Sequence, residues 1–112
     1  MRQEIKLESK EGPALNLKTN PEETLNAMRR VEPEDWEKSQ ENWKTNSIQG
    51  CLRWIRGESE ERESVGGGAY ILYGFGGHNR WYVDRDGSIR FSKRHSRQSS
   101  LKQAQIEGFN IQ

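Results

Sequence analysis

The side chains best suited to a chemical task lie in the last third of the chain. Arg80, Tyr82 and Arg90 alternate with apolar residues in two stretches of strand-forming residues, and a basic run follows at residues 93–97 (Lys, Arg, His, Ser, Arg). A guanidinium group can donate two parallel hydrogen bonds to a phosphate, and an aromatic ring among such groups can stack on a nucleic-acid base. Arginines on a small sheet can alternatively read a DNA groove. The candidate nucleic-acid-binding residues are Arg80, Tyr82, Arg90, Lys93, Arg94 and Arg97.

The same region carries an excess of positive charge. The whole chain holds 18 Lys and Arg against 17 Asp and Glu, a formal net charge of +1. Residues 80–112 hold seven basic and three acidic side chains, whereas residues 1–64 hold 11 basic and 14 acidic ones. This bipolar pattern favours a polyanionic partner, DNA or RNA, at the basic end. The alternative is an ordinary solvated sheet face whose Arg–Asp pairs contribute little, and Asp84 and Asp86 dilute the positive patch.

Signals for catalysis or a cofactor are weak. His78 lies in a glycine-rich turn and His95 in the basic run, and neither has the partners of a nucleophilic triad. One Cys and two His cannot make a Cys/His zinc site. The glycines at 66–68 and 74–77 match neither phosphate-loop pattern. We therefore expect a non-enzymatic protein with no cofactor and no metal, and a small nuclease that uses His95 is a third hypothesis.

The acidic half of the chain supplies the second hypothesis, a protein-interaction module such as a small regulator or inhibitor. Glu34, Asp35, Glu37 and Glu41 lie in a predicted helix and suit a basic protein partner. Trp54 is expected to be partly exposed, and an exposed Trp marks protein interfaces.

The composition predicts a single domain, residues 1–112, with a thin core. Only 30% of the residues are apolar, but four Trp, three Tyr and three Phe offer large areas for burial. No apolar window is long enough for a membrane span, and the first residues lack the apolar segment of a secretory signal. The single Cys51 cannot form an internal disulfide, which fits a reducing, cytoplasmic setting.

The first half is predicted to form a hairpin and helices. Alternating apolar residues over 3–18 indicate an N-terminal β-hairpin. Asn20 is a suitable N-cap for a helix, and Pro33 can open a second one. Trp36 and Trp43 are seven residues apart in this second helix and so share a face.

A further helical pattern ends this half of the chain. Its apolar residues recur at i, i+3, i+4 and i+7, and Gly57 is a plausible C-cap. The residues of this stripe are Ile48, Cys51, Leu52 and Ile55. Residues 58–68 are charged and then glycine-rich, so we interpret them as a hinge or mobile linker between the hairpin and helices of 1–57 and the segment 69–112.

The second half is predicted to be a three-stranded antiparallel meander followed by a C-terminal helix, so the fold class is α+β. The strands are expected at 69–75, 80–84 and 88–92. Ser99 or Ser100 is expected to cap the helix, which runs through Glu107 to Gly108. Leu101, Ala104 and Ile106 are expected to cover the sheet, and Ile111 can add a short edge strand.

Side-chain chemistry selects the register of the last two strands. A three-residue loop with Gly87 in the left-handed conformation places Trp81 opposite Phe91 and Val83 opposite Ile89. These four residues then form one apolar face. Arg80, Tyr82 and Arg90 project from the other face, and this predicted face leads directly to the basic run.

The predicted order of three strands and a helix over residues 69–108 is similar to that of AP2-type domains and of the arm-binding domains of some phage integrases. Those domains place the sheet face on DNA. The resemblance lies in the order of elements, and it implies a DNA contact through the face that carries Arg80, Tyr82 and Arg90.

Overall fold

The computed structural model of the protein describes residues 14–33, 36, 48–59, 65–66 and 68–112. In these ranges two helices precede a run of four strands, and a last helix and a short strand follow, so helices and strands are largely segregated along the chain. This order confirms the predicted α+β class. The helices are α1 (Pro21–Val31), α2 (Ile48–Ile55) and α3 (Gln98–Glu107), with a 3₁₀ turn at Phe75–Gly77. The strands are β1 (Val65–Gly66), β2 (Ala69–Tyr73), β3 (Arg80–Val83), β4 (Ile89–Phe91) and β5 (Asn110–Ile111).

The described strands form one mixed sheet in the order β1-β2-β3-β4-β5. The pairs from β1 to β4 are antiparallel, and β5 runs parallel to β4. β5 reaches this position because α3 carries the chain back across the sheet, and Gly108 ends α3 at a φ of +97°. The expected edge strand at Ile111 is thereby confirmed.

The register of β3 and β4 agrees with the prediction. Trp81 lies opposite Phe91 and Val83 opposite Ile89. Gly87 has a φ of +90°, and its amide donates to the carbonyl of Asp84 over 2.8 Å. A left-handed glycine in the connecting loop therefore sets which face of each strand is apolar.

The core lies between the helices and one face of the sheet, called here the inner face. Trp81 is central to it, because its ring meets Phe91 and Phe109 edge-on at centroid distances of 4.5 and 4.8 Å. Aromatic burial of this kind compensates for the low aliphatic content. The buried inner-face residues are Tyr70, Leu72, Trp81, Val83, Ile89 and Phe91, and the helices contribute Ala27, Met28, Val31, Cys51, Trp54, Ile55 and Ala104.

The hairpin predicted for residues 3–18 is not seen where it can be observed. Residues 1–13 lie outside the described ranges, and residues 14–20 form a turn closed by a bridge between Asn16 and Asn20. The cause is the Asn16 side chain, whose Oδ1 accepts from the amides of Lys18 and Thr19 over 2.8 and 3.0 Å. The apolar Leu17 is buried in this turn rather than in a strand.

The helical stripe that ends at Gly57 is confirmed as α2. Gly57 has a φ of +79°, its amide donates to Trp54, and the amide of Glu58 donates to Arg53. These two bonds satisfy the last carbonyls of the helix. Asn20 precedes α1 as expected, although its side chain makes no capping hydrogen bond.

Two connecting segments, one between α1 and α2 and one between α2 and β2, are described only in part. The helix predicted to begin at Pro33 falls largely outside the described residues, as does Trp43, but Trp36 is buried 6.2 Å from the Trp81 ring. The predicted hinge at 58–68 contains β1, which pairs with the start of β2.

The C-terminal helix differs from the prediction at its start and on its exposed side. It begins at Gln98 with Arg97 as the N-cap residue, so neither Ser99 nor Ser100 caps it. Ile106 is 54% exposed because it lies about 200° around the helix from the buried Ala104. The predicted burial of Ile106 is therefore wrong, whereas Leu101 and Ala104 pack against the core.

A buried carboxylate joins α1 to the turn between β2 and β3. Glu32 is 6% exposed and accepts hydrogen bonds from the amide of Phe75 (2.9 Å), from Asn79 Nδ2 (3.0 Å) and from Trp81 Nε1 (2.8 Å). A Cβ on Gly74 would collide with this carboxylate, so a larger residue there has to displace the carboxylate from its hydrogen bonds. Buried polar groups are tolerated only when their hydrogen bonds are made, and this carboxylate has three.

Asn79 extends the connection to α3. Its Nδ2 also donates to Ser100 Oγ over 3.1 Å, and its Oδ1 accepts from the amide of Arg97 over 3.1 Å. Ser100 is buried at this contact and lies within the first turn of the helix, not at its N-cap. The Glu32–Asn79 network therefore sets where β3 begins and where the basic run ends.

The replacement Glu32→Gln is expected to lower the free energy of unfolding by about 2–4 kcal/mol, because a buried NH2 group then faces N–H donors and the charge-assisted bonds are lost. Urea denaturation measures the change. The control Glu23→Gln removes an exposed carboxylate from the same helix. A loss in Glu32→Gln no larger than that of the control contradicts the assigned role.

Candidate nucleic-acid interface

The face of the sheet opposite the core carries the predicted binding residues. Side chains alternate along each strand, so the residues between the buried ones project together away from the core. We call these residues, all half-buried, the outer face: Ile71, Tyr73, Arg80, Tyr82 and Arg90.

Cross-strand pairing places these side chains in two rows. Tyr82 lies between Ile71 and Arg90 in one row, and Tyr73 lies opposite Arg80 in the other. Directly opposed side chains are in contact range, and diagonal ones are about 7–8 Å apart. The sheet thus brings together Arg80, Tyr82 and Arg90, as the sequence predicts.

Each arginine of the outer face packs on a tyrosine ring. The guanidinium carbon of Arg80 is 5.2 Å from the centre of Tyr73, and that of Arg90 is 5.9 Å from Tyr82. Such cation–π contacts contribute about 0.5–1 kcal/mol at exposed sites. They orient the guanidinium planes along the surface of the sheet.

Asp84 partly neutralises the outer face. Its Oδ1 accepts from Arg90 NH2 over 3.0 Å, and the two side chains are 40% and 37% exposed. A pair with this exposure contributes at most about 1 kcal/mol to stability. Such an Arg–Asp pair is the one expected of an ordinary solvated sheet face. Arg80 lies in the other row and is not part of this pair.

The basic run continues from the Arg80 end of the outer face. Lys93, Arg94, His95 and Arg97 are exposed. The pKa of His95 is held below its usual value by partial loss of hydration and by the positive charges of Arg80 and Arg94. The amide of Ser92, which directly precedes the run, donates to the carbonyl of Arg80 over 2.9 Å, so the run leaves the sheet beside Arg80.

Arg97 and Lys93 lie at the two ends of the basic run. Arg97 is the N-cap residue of α3, and its guanidinium carbon lies 4.7 Å from the centre of the Phe75 ring. The amide of Lys93 donates to the carbonyl of Gln112 over 3.2 Å, which holds the start of the basic run beside the end of β5.

Sequence reasoning missed Tyr73 and Phe75. Tyr73 occupies an outward position of β2 and meets Arg80 across the strands. Tyr73 follows the buried Tyr70 and Leu72 at an alternate position, which indicates that it faces outward. Only the register of β2 with β3 shows that it lies opposite Arg80. Phe75 follows in the 3₁₀ turn, where no periodic pattern applies.

The protein-interaction hypothesis depends on an exposed Trp or on a group of acidic residues. Trp54 is 6% exposed, so the prediction that it is partly exposed is wrong, and Trp43 lies outside the described ranges. Arg85 explains the burial, since its guanidinium carbon lies 4.4 Å from the centre of the Trp54 ring and its NH1 donates to the Trp54 carbonyl. The acidic residues Glu34, Asp35, Glu37 and Glu41 lie outside the described ranges.

Other chemical sites were sought in the same part of the chain. The described residues contain no group of three or more His, Cys, Asp or Glu side chains placed to hold a metal ion. Cys51 is buried, which raises the pKa of its thiol. None of the helices within the described ranges has the length and apolar content to cross a membrane.

The proximity of Arg94 to His95 yields a direct prediction. NMR titration of the imidazole is expected to give His95 a pKa below its usual value, and Arg94→Ala is expected to raise that pKa because one neighbouring positive charge is removed. Arg29→Ala, on the exposed side of α1, is the control. Equal His95 pKa values in both variants contradict the arrangement.

Comparison of the chain with protein-family models, curated proteins and solved structures finds no match. The similarity to AP2-type and integrase arm-binding domains therefore remains one of element order.

Proposed function

We propose that this protein is a non-enzymatic, cytoplasmic nucleic-acid-binding protein that contacts its ligand through the outer face and the basic run. The observation that carries the proposal is the pairing of Arg80 with Tyr73 and of Arg90 with Tyr82 on one side of the sheet. Arginine and tyrosine together supply phosphate binding and base stacking, the two contacts that nucleic acids offer.

Among the described residues, the core is packed on the side of the sheet opposite the outer face. Trp81, Val83, Ile89 and Phe91 are buried against the helices, and the residues that alternate with them have no part in that packing. Cation–π contacts already restrict the Arg80 and Arg90 side chains, which lowers the entropy cost of fixing them on a ligand.

Both arginines of the outer face also retain donor capacity. Within the described ranges, the buried Nε groups of Arg80 and Arg90 have no hydrogen-bond acceptor. An unmet buried donor is unfavourable, and a phosphate oxygen that reaches the guanidinium satisfies it.

Charge favours the same side of the molecule. Residues 80–112 carry seven basic and three acidic side chains, so their field attracts a polyanion and accelerates encounter. We assign phosphate contacts to Arg90, Lys93, Arg94 and Arg97, and base stacking to Tyr82. His95 lies among cationic groups and is assigned no catalytic role.

The double variant Arg90→Ala/Arg94→Ala is expected to weaken oligonucleotide binding at least ~10-fold and to reduce the slope of log K against log salt by about 1.5, because two phosphate contacts are lost. Fluorescence anisotropy at several salt concentrations measures both quantities. Arg29→Ala/Arg53→Ala removes the same charge from exposed positions on α1 and α2. An unchanged slope in the first variant, or equal losses in both, contradicts the assignment.

The Arg90–Asp84 pair yields a prediction of opposite sign. Asp84→Asn is expected to tighten binding by roughly 3- to 10-fold, because Arg90 no longer shares its charge with a carboxylate and repulsion of phosphate is removed. Glu22→Gln changes the net charge equally at an exposed position on α1 and is expected to act less than about 2-fold. Equal effects of the two variants indicate that Arg90 does not contact the ligand.

A further inference from the structure

We propose that the ligand of the outer face is single-stranded rather than duplex nucleic acid, with neighbouring bases stacked on Tyr82 and Tyr73. This inference rests on the proposed function and specifies its ligand. The observations that carry it are the diagonal register of the two tyrosines, the number of strands in the sheet and the position of the basic run.

The register of Tyr82 and Tyr73 on the sheet suits a strand whose bases are unstacked. Tyr82 pairs with Ile71, and Tyr73 lies two residues further along β2, so the two tyrosines are diagonal neighbours. Diagonal side chains are about 7–8 Å apart, whereas stacked bases in a duplex are about 3.4 Å apart. Adjacent bases therefore reach both rings only when the strand is unstacked, which a single strand permits at low cost.

The width of the sheet disfavours entry into a duplex groove. β5 lies beside β4, with Asn110 opposite Arg90, so the strands from β2 to β5 span three interstrand spacings. This corresponds to roughly 14 Å between the outermost strands, more than the major groove of about 12 Å, which admits a two-stranded ribbon. A contact that uses all four of these strands is therefore wider than the groove of a duplex.

The basic run extends the path of the strand. Arg80 packs on Tyr73, and its carbonyl accepts a hydrogen bond from the amide of Ser92 over 2.9 Å, so the row that contains Tyr73 leads into the basic run. A third ring–guanidinium pair, Phe75 with Arg97, adjoins it at the start of α3. Bases on the rings and phosphates on the basic run thus follow one continuous direction, as in sequence-tolerant single-strand binders.

The experiment compares a labelled single-stranded 20-mer with the duplex of the same sequence, by anisotropy at fixed salt. The single strand is expected to bind at least ~10-fold more tightly. Tyr82→Leu and Tyr73→Leu are each expected to weaken single-strand binding about 10-fold, because one stacked base is lost. The matched control Tyr82→Phe keeps the ring and is expected to stay within about 2-fold of the unaltered protein.

A second measurement uses the unaltered chain, in case a leucine variant fails to fold. A single-stranded oligonucleotide that carries 5-iododeoxyuridine is irradiated with the protein, and the adduct is mapped by mass spectrometry. Cross-links at Tyr82 or Tyr73 support the inference. Cross-links confined to residues outside the outer face and the basic run overturn it.

The outcomes separate the two claims. Duplex binding as tight as single-strand binding, with both leucine variants unchanged, overturns the single-strand inference. The proposed function survives that result if Arg90→Ala/Arg94→Ala still weakens binding. Failure of the chain to bind either form overturns both claims.

Discussion

The buried carboxylate of Glu32 is the contact on which the arrangement of the functional surface depends. It accepts hydrogen bonds from Phe75, Asn79 and Trp81, and Asn79 passes the connection to α3. A carboxylate removed from water is strongly unfavourable without such partners, so the three donors must be placed together whenever the protein is folded. This requirement fixes the end of α1 against the turn before β3.

The outer face follows from that constraint. Trp81 donates to Glu32 and fills the centre of the core, which forces Arg80 and Tyr82 to project from the opposite side of the sheet. The amide of Arg97 is held by Asn79, so the basic run is anchored at its C-terminal end. One polar network in the core thereby determines the position of cationic groups on the surface.

The parts of the fold that could be predicted from sequence are those set by periodic burial. Alternation of apolar residues fixed the pairing of Trp81 with Phe91, and helical spacing located α2. The Asn16 turn and the buried Ser100 were missed because a short polar side chain bonds equally well to local and distant groups. Tyr73 was missed because its value depends on the cross-strand partner, and cross-strand register is a property of the whole sheet.

The central claim is that the outer face and the basic run form one binding surface, and chemical-shift mapping tests it most directly. The ¹⁵N-labelled protein is titrated with an unlabelled single-stranded 20-mer, and the amide shifts are followed to saturation. The account predicts that the largest shifts fall in β2, β3 and β4 at outer-face positions and at residues 93–97. Saturable shifts confined to the exposed sides of α1 and α2 would contradict it.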